Sequence, residues 1–184
     1  MKMKTPVVVL FFALLLLWTE NSSAQNRSVR DMSPSERIFV GGFFGLQLGT
    51  FTSISVHLHG GYLITDRLSA GFGGNYQYTR DAFFGEALTS HVYGSNVFAR
   101  FDVVSNFFIH GEYERARVRT YRSLQNPGER TTLSENNYFL GAGYGLRASD
   151  RVRLNLLLLY NFNDDSRVYF DNPVFRVGVD VFLF

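Results

Sequence analysis

From Arg37 onward apolar and polar positions follow one another with a period of two, the pattern of β-strands with two unlike faces. The clearest run is "RLSAGFGGNYQYT" (67–79), where Leu68, Ala70, Phe72, Gly74, Tyr76 and Tyr78 alternate with small or polar residues. Seven further segments behave alike: 37–49, 53–65, 90–104, 106–119, 137–148, 151–162 and 174–184. Tight turns at "TDR", "VSN" and "SDR" alternate with longer polar connections, "RDAFFGEALT", "TYRSLQNPGERTTLSENN" and "NDDSRVYFDNP". Each segment is long enough to cross a bilayer as a tilted strand, which takes about 9–11 residues.

The two faces decide the class. One carries the Phe, Tyr, Leu, Ile and Val residues. The other carries His57, His59, Asn75, Gln77, Asn96, Arg100, Asp102, His110, Glu112, Glu114, Arg147, Arg153, Asn155, Arg176 and Asp180, with Gly41, Gly45, Gly71, Gly73, Gly141, Gly143 and Gly145 among them. Eight strands closed on themselves enclose only one thin layer of side chains, too little room for the large apolar set. The pattern therefore predicts an all-β fold, an eight-stranded antiparallel up-and-down transmembrane β-barrel. Its apolar face meets lipid and its polar, glycine-rich face lines a narrow lumen. Short turns at one end and longer loops at the other are what such barrels show.

The N-terminus changes the picture. Residues 1–24 have the three parts of a secretory signal: Lys2 and Lys4, the apolar run "VVVLFFALLLLW", and "SSA" at a cleavage site after Ala24. Residues 25–36 are polar and predict a flexible lead, leaving 37–184 for the barrel. Removing the signal takes away Lys2, Lys4 and Glu20, so 16 basic residues, all arginine, face 15 acidic ones. That balance provides no basic field for nucleic acid. With no cysteine there is no disulfide framework, thiol chemistry or lipoprotein anchor.

These features resemble the small eight-stranded outer-membrane barrels of the OmpA transmembrane domain and OmpX type, over residues 37–184. The resemblance lies in the strand plan, the Tyr/Phe-rich bands and the C-terminal Phe184. It implies a monomer in the outer membrane of a Gram-negative bacterium, inserted by the barrel assembly machinery, with periplasmic termini and with lipid and lipopolysaccharide around it. It implies a non-enzymatic role, structural, adhesive or binding, through extracellular loops, with "YRSLQNPGERTTLSENN" (121–137) as the binding surface. The alternatives are a narrow, porin-like solute pore and a lipid A-modifying enzyme. The chain departs from the pattern at its end: Phe182 and Phe184 share parity with Asp180 and Arg176, so either the last strand has a bulge or Leu183 carries the assembly signal.

Candidate chemistry is confined to a few groups. Arg100, Asp102, His110, Glu112, Glu114, Arg147, Arg153, Arg176 and Asp180 are predicted to form a salt-bridge network filling the lumen, because an unpaired buried charge costs several kcal/mol. His57, His59 and His110 would suit zinc if they converged; hydrogen-bonded lumen histidines are the simpler expectation. Arg115, Arg117 and Arg119 point away from the lumen beyond Tyr113, placed to pair with lipopolysaccharide phosphate. Asp164, Asp165 and Asp171 lack the ordered spacing of a calcium loop. Ser95 and His91 lie about 13 Å apart along one strand, too far for a nucleophile and its base. No residue pattern calls for a cofactor.

Overall fold

The structure, a computed structural model, describes residues 28–47, 51–81, 88–121, 130–163, 166 and 172–183. The signal segment, the Asp164, Asp165 and Asp171 group and Phe184 lie outside them. Eight strands form the fold: β1 (Ile38–Gln47), β2 (Phe51–Leu63), β3 (Leu68–Asp81), β4 (Leu88–Val104), β5 (Phe107–Tyr121), β6 (Arg130–Arg147), β7 (Val152–Asn161) and β8 (Val174–Phe182). Each pairs antiparallel with its sequence neighbour, and β1 pairs with β8 to close the barrel. Closure gives each strand a neighbour on both sides, so the ladder groups of the closed belt are paired without water.

The predicted faces are the observed ones. Leu58, Phe72, Val97, Leu140, Leu158 and Phe175 are exposed on the outside, Phe72 to 71%. Arg176 and Asp180 are each 2% exposed, on the inside. A water-soluble protein would have these sets reversed, because the cost of leaving large apolar side chains in water is about 1.5–3 kcal/mol each.

Three differences from the sequence expectation have physical causes. The described part of the lead expected over 25–36, together with Arg37, which was expected to open the first strand, forms two 3-10 turns, Val29–Asp31 and Pro34–Arg37. The Ser28 hydroxyl and the Val29 amide donate to the Asp66 carboxylate in the β2–β3 turn, and Val29 is buried. Of the connection expected over 121–137, residues 122–129 lie outside the described residues and 130–137 are strand: β6 begins at Arg130, and Thr132, Ser134 and Asn136 pair with Arg119, Arg117 and Arg115. Its strand character is masked in the sequence because both faces there are polar. At the end of β4 a bulge lies between Asp102 and Val104 and leaves both Val103 and Val104 exposed.

The last strand answers the bulge half of the parity question. Its register runs without a shift to Phe182 against β1 and to Val181 against β7, and the Phe182 ring packs 5.6 Å from that of Phe39. There is no bulge in β8 among the described residues, and Phe182 faces inward.

Candidate functional site

The interior is built from alternate residues of all eight strands, and its centre is one continuous chain of polar contacts. Asp180 on β8 accepts from His59 Nε2 at 2.7 Å, Arg100 Nη1 at 2.6 Å and Asn155 Nδ2 at 2.9 Å. A carboxylate only accepts, so His59 carries its proton on Nε2. Arg100 Nε in turn donates to His110 Nδ1 at 3.3 Å, which leaves His110 Nε2–H to donate to Glu112 at 3.0 Å. Arg176 Nη1 closes the chain, reaching both Glu112 oxygens at 3.1 and 2.9 Å.

Not every predicted member joins it. Asp102 and Arg153 form a separate pair at 2.9 Å, with side chains still 30% and 21% exposed at the short-turn mouth. Arg147, the last residue of β6 and register partner of Arg153, is exposed there and has no place in the buried chain. Two like charges side by side are held apart most cheaply in water. Glu114 sits in a layer of amides, accepting from Asn75 at 2.9 Å and Asn137 at 3.2 Å. The three interior histidines do not gather: His59 and His110 belong to the charge chain, while His57 Nδ1 is buried without a hydrogen-bond partner.

Interior aromatic rings were not anticipated from the sequence. Phe39, Phe43, Phe98 and Phe108 surround the Arg100 guanidinium at 5.8, 5.4, 4.8 and 5.6 Å from their centroids. Arg176 lies 5.1 Å from the Phe139 ring. Desolvated arginine–ring pairs contribute about 0.5–2 kcal/mol each, so the cage stabilises the charge that the carboxylates pair. Each caging ring stands directly across from a glycine: Phe39 from Gly61, Phe43 from Gly178, Phe98 from Gly71, Phe108 from Gly143. A methyl at Gly61 or Gly143 would occupy the space of the ring itself. The signal was therefore present in the sequence as Phe at inward parity; it needed the cross-strand register to be read.

On the outside, β4, β5 and β6 extend past the aromatic band formed by Tyr76, Tyr93, Tyr113 and Tyr138. Arg115, Arg117 and Arg119 follow one another there, all exposed, at intervals of about 7 Å. Their register partners on β4 and β6 are Ser95, Tyr93 and His91, and Asn136, Ser134 and Thr132, none of them acidic. The Arg119 guanidinium lies 5.9 Å from the Tyr93 ring. His91 Nδ1 is bonded to the Tyr76 hydroxyl at 2.9 Å rather than to a serine.

A closed barrel with an apolar belt outside and ion pairs inside is a transmembrane β-barrel, since lipid rewards the first feature and a packed lumen shelters the second. No family model and no curated protein sequence matches the chain. Among solved structures it is similar to neisserial surface protein A, at 15% identity over 79% of this chain and 93% of that one, TM-score 0.46. It is similar also to the N-terminal β-barrel domain of Pseudomonas aeruginosa OprF, at 11% identity over 79% and 95%, TM-score 0.43. A third is the Yersinia pestis outer membrane protein Ail in a phospholipid bilayer nanodisc, at 14% identity over 78% and 96%, TM-score 0.46. The class assignment rests on this chain's own closure and faces.

Proposed function

We propose that the protein is a non-enzymatic barrel of the bacterial outer membrane whose extended β4–β6 wall docks phosphorylated glycolipid, with its termini in the periplasm. The observation that carries the reading is the ridge of Arg115, Arg117 and Arg119, exposed, free of acidic register partners and adjoining a tyrosine band, with Tyr93 paired in register to Arg117. Arginine meets phosphate through two parallel hydrogen bonds, and tyrosine bands mark the membrane–water interface. A ridge at that height faces the headgroup layer of the outer leaflet. The wall and the loops beyond it then serve as the anchored, outward-facing surface for adhesion or envelope structure.

The other two roles have less support. A pore would need an open lumen, yet Arg100 and its four rings fill the centre. Lipid hydrolysis at Ser95 would need a base, and His91 is engaged by Tyr76.

The test is refolding of the mature chain into phospholipid vesicles with and without lipopolysaccharide. Lipopolysaccharide is expected to stabilise the native barrel, and replacing all three arginines by Gln to remove most of that gain, about 1 kcal/mol per arginine. An equal lipopolysaccharide effect on the triple variant would refute the ridge.

A further inference from the structure

At the long-loop end of the charge chain, His57 on β2 faces Glu112 and Glu114 on β5 across the lumen. One donor atom from each, a ring nitrogen and two carboxylate oxygens, lies within 4.8 Å of the others, and all three residues are buried. A second observation points to a ligand: His57 is 3% exposed and its Nδ1 has no partner. A buried polar atom without a hydrogen bond costs about 1–3 kcal/mol, and such exceptions call for an explanation such as an ion.

We propose that His57, Glu112 and Glu114 form a binding site for a divalent first-row transition cation of the zinc type. One imidazole nitrogen with two carboxylate oxygens is a donor set that such ions accept, with bonds of about 2.0–2.2 Å. The donors move inward by roughly 1 Å to reach that geometry, a change that the glutamate torsions supply. The surroundings suit ligation. Asn75 and Asn137 each hold one Glu114 oxygen, and His110 and Arg176 hold Glu112. Hydrogen-bonded carboxylates of this kind are the usual outer support of a metal, and a carboxylate has about four lone-pair sites, enough to serve an ion and its donors together. The interior buries the carboxylates of Glu112, Glu114 and Asp180 with the guanidiniums of Arg100 and Arg176, so a cation does not overload it.

The experiment is calorimetric titration of ZnCl2 into the full mature chain, refolded in detergent, beside His57→Gln and Glu114→Gln. Heat-modifiable gel mobility checks that each variant is folded. One ion per chain is expected, weakened by at least about 10-fold in both variants. Absence of saturable binding in the parent chain, or binding unchanged in either folded variant, overturns the site. A second measurement needs no variant: Mn2+ titrated into the isotope-labelled parent barrel. Broadening centred on the His57, Glu112 and Glu114 amides supports the site, and broadening confined to the outer surface near His91 or to the loop aspartates overturns it.

Discussion

At the scale of single residues, burial decides what a charge is worth. Asp180 accepts three hydrogen bonds in the barrel centre, whereas Asp102 meets Arg153 at a wet mouth. Removing one partner of a buried pair strands the other, at about 3–5 kcal/mol, while a half-exposed pair contributes about 0–1 kcal/mol. Asp180→Ala is therefore expected to lower urea stability several-fold more than Asp102→Ala, each measured by tryptophan-free far-UV unfolding in detergent or vesicles. Comparable losses would contradict the burial argument. Glycine works at the same scale by absence. At Gly143 an added methyl meets the Phe108 ring, which is already fixed against Arg100 and Arg153. Gly143→Ala is expected to cost about 1–3 kcal/mol by overpacking. Gly111 faces outward with nothing within 4 Å of such a methyl, and Gly111→Ala is the matched control, expected near neutral by the same unfolding curve.

Among the elements, strand length carries the functional asymmetry. β4 and β6 have 17 and 18 residues, against 10 in β1 and β7 and 9 in β8. Crossing the bilayer takes about 9–11 residues, so the surplus in β4, β5 and β6 stands above the membrane as a hairpin wall. The arginine ridge exists because β5 keeps its alternation into that surplus, where the outward face no longer has to be apolar. Inward, the same stretch places Ala116 and Val118 beside Val92, a small dry cluster that keeps the wall folded. A ridge built on a strand holds its three cations at fixed spacing, as the proposed docking of several phosphates requires.

For the whole molecule, lipid is the solvent that makes sense of the exterior. Leu158 is 51% exposed in the middle of β7, flanked in register by Ala142 and Phe175. In a water-soluble barrel Leu158→Arg would change stability by no more than about 0.5 kcal/mol. In a membrane barrel a lipid-facing arginine near the midplane costs about 2–4 kcal/mol. The larger loss is expected for folding into vesicles, and a neutral result would reverse the assignment of the faces. Closure also explains how so polar an interior is tolerated: the barrel wall excludes water, and each central charge is matched within hydrogen-bond reach instead.

Much of this was legible in the chain alone, and for one reason: a strand has a period of two, so parity along the sequence fixes which side chains share a face. That sufficed for eight strands, their order, the lipid-facing belt, the inward position of Arg100, Glu112, Arg176 and Asp180, and the outward set of Arg115, Arg117 and Arg119. Parity says nothing about how far one strand slides against the next. Register and closure therefore decided that Phe39 stands over Gly61, that Arg147 ends in water while Arg100 is caged, and that residues 130–136 continue a strand. They also brought His57 across the lumen to Glu112 and Glu114, from strands that are not neighbours in the sheet. Contacts across a closed barrel depend on the curvature of all eight strands together, and no local stretch of sequence contains that.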